Sequence, residues 1–274
     1  MANKKLKILA LSDHALSTSG VGTQSRHLFN GLVEKGSWTI RQFGAALKHN
    51  DYRTIVVNDD LVIKPIDGFG NPDMLRVALA SEKPDILFIF TDPRFFSWLF
   101  EMEDEIHQVC PIVWWHVWDN YPYPDYNEWM YKATDMINCH SHMTYTMLKE
   151  NLDHSGVNYV PHTLPEDLFT PMTEKSINDH KIALLGADKK DHFIGIWVNR
   201  NAKRKRPNDV LESWRLFLDE LYKKEGHKKA VLVMHTDPRD TEGPNLLITA
   251  ENLKLQDNVV FSSDRIDFHQ MNVL

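Results

Sequence analysis

The chain has 274 residues, enough for two domains or one large one, and a formal net charge of −7, which disfavours a nucleic-acid binder working through bulk charge. Two cysteines, Cys110 and Cys139, exclude a disulfide framework and a four-cysteine zinc site. No apolar run is long enough to span a bilayer, so stable membrane insertion is not expected. The Lys-rich start leads into a short apolar stretch that runs straight into Ser12 and Asp13. It reads as a first strand rather than a signal core, and the expectation is a cytoplasmic globular protein.

Strands and helices alternate along the first 165 residues. Residues 6–11 predict a buried strand. Val21, Leu28, Leu32 and Val33 then recur at helical spacing until Gly36. The stretch 41–71 is harder to read, with 54–57 and 61–63 forming an added hairpin. Further strands are expected at 85–90, 111–115, 136–139 and 158–160, with helices at 95–106 and 141–152. Short buried strands separated by helices predict a parallel α/β sheet. From 162 to 190 the pattern weakens around Pro165 and Pro171, which reads as a linker. A second α/β run comes next: strands at 193–198, 230–234 and 259–261, and helices from 210, with Asn208 as N-cap, and at 246–253. The expected plan is a first domain at 1–165, a linker at 166–190 and a second domain at 191–274. The second has only about three strands, where a complete nucleotide-binding sheet usually has five or six.

Three loops carry the chemistry. The loop 13–22 lies between the first strand and first helix, where open parallel sheets bind ligands. Gly20 and Gly22 allow backbone N–H groups to approach an anion at a helix N-terminus. Ser25 stands where a dinucleotide fingerprint wants a third Gly or Ala, and no Gly-Lys-Ser/Thr is present. The loop is therefore a phosphate- or sugar-facing turn of neither common type, or a tight turn without a ligand. The loop 199–207 gathers Arg200, Lys203, Arg204, Lys205 and Arg206 after a strand. Guanidinium and ammonium groups there suit a diphosphate, though a solvated basic loop or a local nucleic-acid patch has the same composition. The loop 113–125 brings His116 off a strand end, followed by Trp118, Tyr121 and Tyr123, which suit stacking on a sugar or base or simply packing. Cys139, His140 and His142 cluster without a second ligand pair at zinc spacing, so the metal expectation is none. His235-Thr-Asp-Pro238 lines a cleft or makes a turn.

Taken in order, these segments resemble the retaining glycosyltransferases of the GT-B fold, the large group-1 family, also called glycosyltransferase family 4. Ser17 to Leu28, with its Gly-Val-Gly, is similar to the family's first loop and helix. His116 in Trp-Trp-His-Val looks like its middle-strand histidine, although Val117 comes after it where Asp is common. Val160 to Pro171 looks like the end of its first domain. Arg200 and Lys205 match the pair that holds the donor diphosphate. Residues 231–238 and 257–262 are similar to the later segments of its second domain. The resemblance implies two Rossmann-like domains, with an acceptor bound on the first near Gly20 and Gly22. It implies His116 as a catalytic residue contacting the donor sugar, and a nucleotide diphosphate sugar on the second domain. No cofactor beyond that co-substrate is implied, and no metal, since Asp-x-Asp is absent.

One departure stands out. The family carries Glu-x7-Glu some tens of residues beyond the Val-Val-Phe-Ser strand, and this sequence reaches Leu274 first. Glu212/Glu220 and Glu166/Glu174 share the spacing but lack the glycine context and a preceding strand. The alternative expectation is therefore a catalytically incomplete binding protein, or one that depends on a second chain to supply the missing part. A sugar-nucleotide epimerase on the same plan is a lesser expectation.

Overall fold

The computed structural model describes residues 4–47, 50–166, 168–264, 266 and 268–273. They form two units, Met1–Pro165 and Glu166–Leu274.

The first unit is built on eight strands: β1 (Leu6–Asp13), β2 (Trp38–Ala45), β3 (Ile55–Asn58), β4 (Leu61–Pro65), β5 (Ile86–Thr91), β6 (Ile112–His116), β7 (Met136–Cys139) and β8 (Val157–Tyr159). Their order is β3-β4-β2-β1-β5-β6-β7-β8. Every pairing is parallel except β3 with β4. The helices are α1 (Gly20–Glu34), α2 (Pro72–Glu82), α3 (Ser97–Phe100), α4 (Glu103–His107), α5 (Glu128–Lys132) and α6 (His142–Asn151).

β1 sits in the middle and is buried from Ile8 onward. Its alternation divides the core. Ile8 and Ala10 pack with Phe29 of α1, and with Ile40 and Ile63. Leu9 and Leu11 face the other way, into a cluster with Leu75, Leu87 and Trp114. Each fully buried large apolar side chain contributes roughly 1.5–3 kcal/mol. A strand covered on both faces needs a continuous apolar run, which is why β1 is so plain in the sequence.

Three features of this unit differ from the sequence expectation. The hairpin at β3–β4 is present, but β2 separates it from β1. That strand escapes a hydrophobicity reading because Arg41 and Gln42 interrupt it; Gln42 is nonetheless buried. α2 is a second unexpected element, capped by the Asn71 side chain, which accepts from the Met74 amide, with Pro72 at its first position. The helix expected over 95–106 is broken between Phe100 and Glu103. The break brings Phe96, Leu99, Phe100, Met102 and Ile106 all into the core.

The second unit contains α7 (Glu174–Leu185), β9 (Phe193–Val198), α8 (Pro207–Glu225), β10 (Ala230–His235), α9 (Leu246–Asn252), β11 (Val259–Ser262) and α10 (Phe268–Val273). Its parallel sheet has the order β11-β10-β9. The stretch 166–190, expected as a linker, holds α7. Thr173 caps it by accepting from the Ser176 amide, and Gly186 ends it at a φ of 91°. Only Leu185 of that helix is buried, against Val231 and Val233 of β10, so it carries no apolar stripe to read. α8 begins one residue before the expected cap. Pro207 takes its first position, where no N–H is needed, and Asn208 instead accepts from the Thr249 hydroxyl at 3.1 Å. Among the described residues no helix is long and apolar enough to cross a membrane.

Candidate functional site

The carboxyl edge of the first sheet is where its helix-leading loops gather. The loop after β1 is held by its own side chains. Ser19 accepts from the Gly22 amide at 2.9 Å and donates to Asp13 Oδ2 at 2.6 Å, and Ser17 lies 3.1 Å from the Ser19 hydroxyl. The Gly22 N–H, expected to face an anion, is thus occupied by the helix cap. Gly22 is a steric necessity. A Cβ there would stand 2.3 Å from Ser17 Oγ and 2.6 Å from the His14 carbonyl, whereas Gly20 faces open space. Burial raises the Asp13 pKa, and the Ser19 hydrogen bond partly offsets this.

Beneath the loop, Gln42 of β2 donates to Ser12 Oγ at 2.7 Å and to the Asp13 carbonyl at 2.8 Å, and accepts from the Ala15 amide. Ser25 donates to Ser12 at 3.1 Å. The residue that breaks the dinucleotide pattern therefore belongs to a buried hydroxyl–amide network. Gln24 reaches the segment after β8, donating to the Thr163 carbonyl at 2.8 Å and accepting from its amide at 3.2 Å.

His116 ends β6, in register with Thr91 of β5 and Cys139 of β7. Its side chain, expected to contact a donor sugar, is 0% exposed. The ring lies 4.2 Å from Trp114 and 6.2 Å from Trp118, and Nε2 is hydrogen-bonded to the Tyr131 hydroxyl at 3.0 Å. Burial, reinforced by the nearby His140, pushes its pKa down to about 3, so the ring is neutral at physiological pH. Its carbonyl accepts from His140 Nδ1 at 3.0 Å, which fixes the tautomer of His140. The His140 ring is 5.0 Å from His162, whose pKa burial lowers to about 4. The sequence places His140 only beside Cys139 and His142 and gives no sign of His162, because their meeting depends on β6, β7 and the segment after β8 being neighbours. Cys139 is buried, and burial pushes its thiol up to about 12. Among the described residues no group of three or more His, Cys, Asp or Glu is placed to hold a metal.

In the second unit the basic loop leaves β9 at the carboxyl edge and leads into α8. Arg200 makes a two-pronged ion pair with Asp240, Nε to Oδ2 at 2.6 Å and Nη2 to Oδ1 at 3.1 Å. Sequence reasoning missed Asp240, forty positions away, and no local signal marks it. Lys203, Arg204 and Lys205 form a short 3-10 turn. Arg206 takes a left-handed φ of 51° and pairs with Asp209. The loop after β10 braces this turn. The Lys203 amide donates to the Glu242 carbonyl, and buried Asn201 donates to the Pro244 carbonyl at 2.8 Å. Gly243 must be glycine here, since a Cβ would fall 2.1 Å from Asn201 Oδ1. Lys203, Arg206, Asn208 and Gly243 line a cavity of about 350 Å³. Arg200 and Lys205 thus share one loop, with Arg200 already partnered. His235, at the end of β10, bonds to Ser262 of β11 at 3.0 Å.

The sequence matches no family profile and no curated protein. Solved structures do match in three dimensions. Sucrose-phosphate synthase from Thermosynechococcus elongatus superposes with a TM-score of 0.71 at 15% identity, over 98% of this chain and 73% of that one. HepE from Anabaena, in complex with UDP-glucose, gives 0.65 at 12%, over 97% and 71%. An E. coli trehalose-6-phosphate structure bound with UDP-2-fluoro glucose gives 0.57 at 11%, over 97% and 76%. At such identities the likeness establishes the fold. It is a GT-B fold, with three strands in the second sheet among the described residues.

Proposed function

We propose that this chain is a glycosyltransferase that moves a sugar from a nucleoside diphosphate sugar to an acceptor, with retention and without a metal. The observation that carries this reading is the basic loop at the carboxyl edge of the second unit, in a GT-B fold. Arg200 and Lys205 bind the diphosphate, and the loop's fixed positive charge stabilises it as it leaves. The acceptor oxygen takes its place on the same face of the anomeric carbon, and the acceptor's hydroxyl proton passes to the departing diphosphate oxygen. The acceptor binds to the first unit, near Gly20, Gly22 and the aromatic loop after β6. His116 serves as a positioning residue: neutral, buried and tied to Tyr131, it holds His140 through its carbonyl.

Calorimetric titration with UDP-, GDP- and ADP-glucose, with and without magnesium, tests the donor site. One nucleotide sugar is expected to bind independently of metal, and Arg200→Ala to weaken it about tenfold, the effect of losing a charged hydrogen-bonding partner. Unchanged affinity in that variant overturns the assignment.

A second reading, a binding protein that depends on a separate polypeptide, is favoured by one feature. β9 is an edge strand in its sheet, and Phe193, Ile196 and Val198 on it are exposed, Phe193 to 60%. An open apolar strand edge is a template for further pairing. Donor turnover by the isolated chain at an ordinary enzymatic rate rejects this reading.

A further inference from the structure

We infer that the acceptor is an uncharged saccharide that stacks on the aromatic loop after β6, and not a sugar phosphate or other anion. The inference deepens the proposed function, and it rests on that reading for the role of acceptor but not for the binding itself.

The first observation is the exposed aromatic surface. Tyr121 is 74% exposed and Tyr126 66%. Trp118 meets Tyr126 edge to face at 6.2 Å. Exposed tyrosine rings at a sheet's ligand edge, one of them resting on an indole anchored against the core, mark a binding surface. The indole of Trp118 is held in place. Its Nε1 donates to the Asn120 carbonyl at 2.9 Å, and its own carbonyl accepts from the Thr144 hydroxyl at 2.5 Å. A rigid aromatic face suits the C–H face of a pyranose at little entropic cost.

The second observation is charge. Asp119 and Asp125 flank the exposed rings and are themselves exposed. Carboxylates accept hydrogen bonds from sugar hydroxyls and repel phosphate. Among the described residues, the loops at the carboxyl edge of this sheet contain two arginines, Arg53 and Arg94. Each is already ion-paired two residues away, with Asp51 at 2.6 Å and Asp92 at 3.2 Å. Arg26, in the second turn of α1, also has a partner. Among these described loops there is no counterpart of the second unit's basic loop to receive an anion. The two units therefore divide the work by charge: anion on the second, neutral polyol on the first.

The test titrates the full chain, without donor, with maltose, cellobiose and glucose 6-phosphate, read by tryptophan fluorescence and saturation-transfer NMR. A neutral disaccharide is expected to bind at millimolar concentration, and glucose 6-phosphate about tenfold more weakly. Tyr126→Ala, at a residue too exposed to support the fold, is expected to weaken the disaccharide severalfold. Asp119→Asn combined with Asp125→Asn is expected to narrow the gap between sugar and sugar phosphate. The inference is overturned if glucose 6-phosphate binds as tightly as the neutral sugars, if neither disaccharide binds, or if Tyr126→Ala has no effect. UDP-, GDP- and ADP-glucose titrated in turn into the same sample separate the two claims. Lost donor binding with retained disaccharide binding rejects the transferase and keeps the platform; the converse rejects the platform alone.

Discussion

The loop after β1 and the loop after β9 occupy the same station, each leaving the carboxyl end of a parallel strand to start a helix, yet they are built in opposite ways. The first is closed on itself. Ser19 takes the Gly22 amide, Asp13 takes the Ser19 hydroxyl, and Gln42 and Ser25 brace it from below. The second has no side-chain cap; Arg206 sits at the cap position in a left-handed conformation before Pro207. Its shape comes from the loop after β10, through Asn201, Gly243 and Asp240. Position on the sheet thus designates a ligand edge, while side-chain wiring decides what that edge can receive. A self-satisfied, acidic loop has little to offer an anion, whereas a loop with several cations has much.

The sharpest way to break this contrast is at the glycines. Gly22→Val is expected to destabilise the first unit by about 2 kcal/mol or more, because the added carbons meet the His14 carbonyl. Gly20→Ala, facing open space, should shift stability by no more than ~0.5 kcal/mol. Urea denaturation of both variants checks this, and equal effects would show that the loop is not closed in the way described.

Protonation sets the next largest effect. The pKa values of His116 and His162 lie at about 3 and about 4, below the ordinary 6.5 of an unfolded chain. As pH falls through 6.5 the unfolded state takes up protons first, so the stability these neutral rings provide is complete above that pH and declines below it. For His116 the loss amounts to about 2 kcal/mol by pH 5, and it is smaller for the less buried His162. The imidazole resonances of His116 should show no titration between pH 7 and 5, and a ring that charges in that range contradicts the buried geometry.

The smallest expected effect sharpens the comparison from the basic side. Asp240→Asn removes the carboxylate that occupies Arg200. Nucleotide-sugar affinity should then rise roughly two- to fivefold, the scale of an exposed ion pair. A fall in calorimetric affinity would mean that Asp240 aims Arg200 rather than competing with the diphosphate.

The parts of the fold that sequence reading recovered are those governed by continuous apolar runs. β1, β5, β6 and β10 stand out as such runs, and a strand covered on both faces needs one; β9 is as apolar in sequence, although none of its residues is buried. β2 and α7 were illegible for the opposite reason. β2 gives inward positions to polar groups that serve the glycine loop, and α7 buries only Leu185. The candidate loops were legible because strand, glycine or basic run, and helix succeed one another within some twenty residues. What those loops do with their polar groups was not, since Gln42, Asp240 and Thr163 are remote in sequence from the residues they hold.

Local sequence thus determined the alternation of strands and helices, the two strand-to-helix loops and the charge of each, because these depend on spacing and composition within one segment. Only the tertiary structure decided that His116 is sealed behind Trp114 and Tyr131, that Arg200 is already partnered, and that Ser25 belongs to a buried network. Burial and pairing are properties of neighbours in space, and a parallel sheet brings those neighbours from across a crossover, where no short-range pattern records them.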